Sequence, residues 1–440
     1  MKVKFRLVAV IICAMICIIS FSACVNDVTV GQSELLGEPK TVERVKYADL
    51  YTDGYKAFKN SVEAFASDFA AYSYADYDKQ DNFAVSPISV YMALALASQC
   101  ANGDTRAQLL DALGVTFEQL QTHFSTLYRS LAVEQTTGLV KLSNSVWVND
   151  GTGVKQDCIR SLSDDFYAYS YSADFKNNNA EANKAVRAFV KEQTNGLIDK
   201  DFELSDRTLF ALINSLYLKT IWNDSGRDLP FADGMYDFTA KDGSVKNVQL
   251  LQGDYIRGRA VEFDTYSTFY TATYDGYKIK FILPKDGNTI EQVFTSQNIN
   301  AVNSVSDYSY LDEAENTGYY TRVLFPEYKC AYDGDIKDVL CDKFGIDLFF
   351  KDPGKYSPAC DFSALSDEEC YCAKIRHVTD LNVNRKGIEG AAVTVIGIDA
   401  ATAMPPAKIV RQDFVVNKAF GFIITDSQDV MLFSGLVNNV

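Results

Sequence analysis

Residues Gly387 to Pro406 read GIEGAAVTVIGIDAATAMPP, a stretch of small and β-branched residues with two charges and no proline before Pro405. Such a segment has high strand propensity and little to stop it pairing with an exposed sheet edge. A chain that carries it must cover it, break it or use it. Here it is framed rather than broken, by the turn-like NRKG before it and the rigid Pro405-Pro406 after it.

The rest of the chain supplies large sheets for it to meet. From Asp53, Tyr55, Phe58, Val62, Phe65 and Phe69 recur at spacings of three and four, which predicts an amphipathic helix. NFAVSPISVYMALALASQC follows as a short apolar strand, a Ser-Pro break and an apolar helix, and GDTRAQLLDAL opens another helix. KLSNSVWVND alternates like a strand, and EANKAVRAFVKEQTNGLI is a helix stopped at Asn195-Gly196. LFALINSLYLKTIW (209–222) is a long central-strand candidate, and hairpins are expected about Asp242-Gly243 and Asp275-Gly276. Helices dominate the first third and strands the remainder, with neither an internal repeat nor a clean linker after about residue 53. One α+β domain with large, mostly antiparallel sheets is the expectation.

Lys2, Lys4 and Arg6 precede a 15-residue apolar run from Leu7 to Phe21, too short for a permanent membrane span and typical of an export signal. The junction FSAC resembles a bacterial lipobox, which makes Cys24 the expected lipidation site and residues 1–23 the part removed. Residues 24–53 read as a tether and 54–440 as the folded body. Export, lipid anchoring through Cys24 and a place at the bacterial surface or envelope follow as expectations. Loss of residues 1–23 moves the formal charge from −16 to −19. That balance, with no Lys/Arg cluster against it, excludes nucleic acid as the expected partner.

Seven cysteines remain after Cys24: Cys100, Cys158, Cys330, Cys341, Cys360, Cys370 and Cys372. An odd, scattered set is not a disulfide framework and fits mostly free thiols. Cys370 and Cys372 lack the two-residue gap of a zinc knuckle, so neither metal nor cofactor is expected. Of the two histidines, His123 falls on an amphipathic helix, and His377 on an alternating strand five residues after Cys372. That spacing points the two side chains to opposite faces, so they do not form a nucleophile and base. GxSxG, P-loop and HExxH patterns are lacking, and an enzyme is not expected.

The motifs NFAVSPISV (82–90), LFALINSLYLKTIW (209–222), LFPEYK (324–329), HVTDLNVNRKGIEGAAVTV (377–395) and FVVNKAFGFIITDSQDVMLFSGLVNNV (414–440) resemble the serpins, in family order and spacing. The resemblance runs from about residue 54 to Val440. It implies the serpin fold, three β-sheets with about nine helices and an exposed reactive-centre loop, in a monomer. It also implies a suicide mechanism, in which a protease cleaves the loop and the loop then inserts as a strand into the central sheet. Carried over residue by residue, Ser86, Ser89, Asn214 and His377 match the shutter beneath that sheet, and Trp222 its upper end. Gly387, Ile388, Glu389, Gly390, Ala391, Ala392, Val393 and Thr394 match the hinge, and Ala401–Thr402 the scissile bond.

The inserting segment can be tested against strand geometry. With Ile388 inward, the inward set is Ile388, Gly390, Ala392, Thr394, Ile396, Ile398 and Ala400, all uncharged, while Glu389 and Asp399 fall together on the outer face. Lysine, arginine and aromatic residues are absent between Lys386 and Lys408. The expected target is therefore a serine or cysteine protease of elastase-, subtilisin- or papain-like preference for small side chains. The departures are Arg385, where the family has glutamate; Ile388, where threonine is common; Gly390, where alanine is preferred; and Ala419, where proline precedes phenylalanine. The rival reading is a non-inhibitory serpin, a binding module or plain substrate.

Overall fold

The computed structural model describes residues 31–77, 81–132, 139–222, 227–372, 375–389 and 408–440. Nine α-helices occur among them: Asp53–Ala75 (α1), Pro87–Cys100 (α2), Gly103–Leu113 (α3), Phe117–Leu131 (α4), Gln156–Asp164 (α5), Asn179–Gln193 (α6), Ile290–Val293 (α7), Ser296–Asn303 (α8) and Lys337–Phe344 (α9). Thr52 caps α1, its hydroxyl accepting the Tyr55 N–H at 3.2 Å. The periodic residues Tyr55, Phe58, Val62, Phe65 and Phe69 are all buried. α2 is apolar almost all round and nearly every residue of it is buried, as an internal helix requires. α6 stops where the Asn-Gly pair stops it: Asn195 and Gly196 take positive φ, and the Gly196 N–H donates to Lys191 O.

The central sheet has seven strands: Ser33–Gly37 (β1), Leu139–Asn149 (β2), Ala168–Ala173 (β3), Phe210–Ile221 (β4), Tyr328–Asp335 (β5), Arg376–Asn384 (β6) and Gly387–Ile388 (β7). Their order is β1-β3-β2-β4-β7-β6-β5. Only β2 and β3 run parallel; the other pairs are antiparallel. A second, six-stranded sheet contains the hairpin 266–272/278–284 about Asp275-Gly276 and the last strands of the chain, and a third, five-stranded sheet is built on 317–325 and 408–415. The hairpin about Asp242-Gly243 stands apart as 236–239 paired with 245–248. Cys100, Cys158, Cys330, Cys341, Cys360 and Cys370 are free thiols.

The main core lies around α1 and α2, between the central and six-stranded sheets. Strand 83–85 pairs with 431–437 of the six-stranded sheet, and its direct continuation into α2 carries Ser86 and Ser89 under the central sheet. A smaller core seats α6 against the central sheet, with Trp147 stacked on Tyr171 and edge-on to Phe189. The stretch expected as a tether carries structure: Ser33–Gly37 adds to the edge of β3. Five residues with no apolar period gave no strand signal; an available sheet edge, rather than their own pattern, recruits them.

One buried polar cluster sits away from the central sheet. Glu63 of α1 is buried, accepts from Asn303 Nδ2, and lies 4.0 Å from Lys59 Nζ. Buried Lys280 meets Asn303 O at 2.6 Å and Asp429 Oδ1 at 3.1 Å. Burial pushes the Glu63 carboxyl up to about 8 and the Asp426 carboxyl up to about 6. A raised folded pKa means stability fully present below the unfolded value of about 4.5 and lost as pH rises through about 8. Glu63→Gln, which mimics the protonated acid, should match wild type near pH 4.5 and exceed it by about 4 kcal/mol at pH 8. Urea midpoints of the two proteins across that range check it; parallel curves would mean that Glu63 is ionised in the folded protein.

Candidate functional site

The central sheet parts between β4 and β6, and among the described residues β7 is the one strand that joins them. Gly387 and Ile388 pair with Ile221 and Thr220 on one side and with Asn384 and Val383 on the other. Below Ile388, no described residue forms a ladder with either inner edge, apart from the Glu389 N–H donating to Asn382 O. Gly387 is required at this junction: its φ is +154°, and a Cβ there would stand 1.9 Å from Thr220 O. Ile388 is fully buried, which makes it an inward residue. Glu389 has φ +34° and feels Asp380, Lys219 and Lys329 of the flanking strands.

Beneath the parting lies a hydrogen-bonded cluster assembled from four distant parts of the chain. Ser86 stands at the N-cap of α2 ahead of Pro87, yet its side chain caps nothing. The Ser86 hydroxyl donates instead to Leu432 O at 2.9 Å and receives the Ser89 hydroxyl at 2.9 Å. The Ser86 backbone N–H donates to His377 Nε2 at 3.1 Å. Burial holds the His377 imidazole down to about 4, so it is neutral at physiological pH, with its remaining proton on Nδ1. Its acceptor nitrogen is taken by a backbone N–H and both serine protons go elsewhere, so the cluster is not built as a nucleophile and base.

Asn214 of β4 completes the ring of polar groups from above. Its Nδ2 donates to Asn144 Oδ1 at 2.6 Å, and Asn144 Nδ2 in turn donates to Phe166 O at 3.0 Å. Asn214 Oδ1 is buried and has no hydrogen-bond partner among the described residues. Ser86, Ser89, Asn214, His377 and Thr379 line one small pocket, so the structure brings together all four residues matched to the shutter. Thr379, whose hydroxyl donates to Ala84 O, lines the same pocket, and Asn144 is the partner of Asn214; neither carries a sequence signal beyond strand alternation.

The two ends of the parting differ. At the top, Trp222 Nε1 donates to Asn384 O at 2.7 Å and its ring meets Phe325 at 5.5 Å, which fastens the end of β4 to the end of β6 over β7. Arg385 is held beside it: its N–H reaches Glu327, its Nε donates to Leu229 O, and its guanidinium lies 4.7 Å over Phe231. At the bottom is a largely apolar cavity of about 290 Å³, lined by Leu94, Phe210, Leu212, Phe349 and Ile375. Gly390, Ala391, Ala392, Val393, Thr394, Ala401, Thr402 and Cys24 lie outside the described residues.

This arrangement has known relatives. The family model described as "Serpin (serine protease inhibitor)" matches residues 60–440. A putative serpin-Z5 of Oryza sativa is 27% identical over 81% of this chain and 84% of the rice protein. Neuroserpin of Mus musculus is 26% identical over 82% of this chain and 87% of its own length. Among solved structures, that of the thermophilic serpin tengpin in its native state covers 93% of this chain and all of its own, with a TM-score of 0.68 at 21% identity. A family match over residues 60–440, on a fold with three large sheets and nine described helices, shows that the chain belongs to the serpins, whose members are generally protease inhibitors rather than catalysts.

Proposed function

We propose that this chain is an exported, lipid-anchored inhibitor of serine or cysteine proteases that takes its target as a suicide substrate, with cleavage at or within a residue or two of Ala401–Thr402. The observation that carries the reading is the register of β7. Ile388 lies opposite Thr220 and Val383, and a strand continued in that register places Ala392 between Leu216 and Thr379. Thr394 then falls between Asn214 and His377, where its hydroxyl is the donor that Asn214 Oδ1 lacks. Ile396 falls between Leu212 and Ile375, and Ile398 beside Phe210, at the level of the apolar cavity. The chemistry of Ala392, Thr394, Ile396 and Ile398 suits the wall each would meet.

The energy suits the mechanism. About a dozen residues pairing on both edges, at a net ~0.5–1.5 kcal/mol per hydrogen bond, gain on the order of 10 kcal/mol. That is comparable with the stability of a typical domain, ~5–15 kcal/mol, and so large enough to displace a tethered protease. The uncharged, small-residue loop favours targets that take alanine or threonine, and Pro405-Pro406 stiffens the far side.

Three outcomes check this reading. Incubation with elastase-type and subtilisin-type proteases should give a complex that survives denaturing electrophoresis at the summed mass; loop cleavage with no such complex would leave the chain a plain substrate. Thr394→Arg would bury an unpaired charge against His377. It should be cleaved as fast as wild type yet need at least tenfold more protein per protease inhibited; unchanged stoichiometry would contradict the register. Cys24→Ser should move the exported chain from the membrane fraction to the soluble one, and equal partitioning would remove lipid anchoring from the account.

A further inference from the structure

The outer face of the five-stranded sheet carries a feature that insertion does not use. The chain has a formal charge of −16, yet Arg257, Tyr320 and Arg411 stand abreast here on three neighbouring strands, Tyr320 in register with Arg257 on one side and with Arg411 on the other. Both arginines are exposed. The nearby Arg259 and Arg322 are matched, to Asp312 at 3.5 Å and to both oxygens of Asp413 at 2.6 and 3.1 Å. Arg257 and Arg411 lie on rings instead, at 4.1 Å over Tyr310 and 5.9 Å over Tyr255, and neither forms an ion pair among the described residues. Tyr310 stands edge-on to Tyr320 at 5.4 Å, which fixes the aromatic floor between the two guanidiniums.

This row is spaced for a protein surface rather than a single small anion. Adjacent strands lie ~4.8 Å apart, so the two arginine backbones are about 10 Å apart, with a ring between them. Guanidinium groups pair with carboxylates bidentately, and arginine with tyrosine is the composition that dominates protein interfaces. The position matters equally. The strand Lys408–Val415 is where the chain returns from segment 390–407, and Lys408 pairs with Thr317 three residues before Arg411. Six Cα-to-Cα steps lead from Thr402 to Lys408, at most ~3.3–3.6 Å each, so Thr402 lies within about 22 Å of Lys408. A protease of ordinary domain size has a radius of gyration of roughly 17 Å, so a body of that size with its cleft on the loop can reach this face.

We propose that the Arg257–Tyr320–Arg411 row is a secondary docking surface for an acidic patch beside the substrate cleft of the target protease. The proposal rests on the reading above only in taking segment 390–407 as the protease's substrate. The row acts on encounter, by steering an acidic protease onto the loop and slowing its departure, and leaves insertion to β4 and β6.

The test compares loop cleavage, read as total disappearance of intact chain, by two serine proteases that both prefer small residues, one acidic and one basic. In 50 mM salt, Arg257→Glu/Arg411→Glu should cut the rate with the acidic protease tenfold or more. It should not slow the basic protease, and it should abolish the salt dependence seen with the acidic one. Arg257→Gln/Arg411→Gln, which adds no repulsion, should give an intermediate loss. Unaltered thermal unfolding shows that both variants are folded. Equal rates for wild type and both variants with the acidic protease would overturn the proposal. So would unchanged cleavage accompanied by lost retention on a sulfated polysaccharide, which would assign the row to a polyanion. Because cleavage is counted whether or not a complex forms, a failure of trapping is read separately from a failure of docking.

Discussion

The structure turns on two facing strand edges, β4 and β6, that among the described residues are joined only at their upper ends. Backbone N–H and C=O groups are costly to bury without partners, so two such edges favour a strand between them. The junction at the top decides which strand and in which register. Gly387 is the residue whose backbone conformation and lack of a Cβ let the chain approach Thr220, and Ile388 is the first side chain committed to the inner face. Trp222 and Arg385 hold this corner through Asn384 O and Leu229 O.

Each wall of the parting has a physical character that the continuing strand would have to satisfy. The middle is polar, with a neutral His377 and an unpartnered Asn214 carbonyl; the bottom is apolar and roomy. The segment from Ile388 presents isoleucine, small residues, one threonine, then two isoleucines in the same order. Gly390 departs from that fit and weakens the strand by roughly 0.5–1 kcal/mol. Ile388, the other departure at the hinge, is an asset, because its burial seals the top of the sheet.

Much of this was legible from local pattern. The spacing of Tyr55 to Phe69 predicts α1, Asn195-Gly196 predicts the end of α6, and the alternation that begins at Ile388 puts that residue on the inner face. What lies in pairings across the sequence was not. Ser86 and His377 are 291 residues apart and were linked only through family resemblance. Asn144 looked like any polar residue in an alternating strand until its partner Asn214 was in place. Ser33–Gly37 reads as tether because its strand is recruited by an edge, and Arg257, Tyr320 and Arg411 form a row only because three strands align them.

The central claim is that segment 388–398 is a strand held for the gap between β4 and β6, and that cleavage releases it to pair there. Thermal unfolding before and after a single cut within the loop measures this most directly. A gain on the order of 10 kcal/mol should raise the midpoint by roughly 10 °C or more. A cut chain that melts at the same temperature as the intact one, or lower, would show that the segment does not pair with β4 and β6 and would contradict the account.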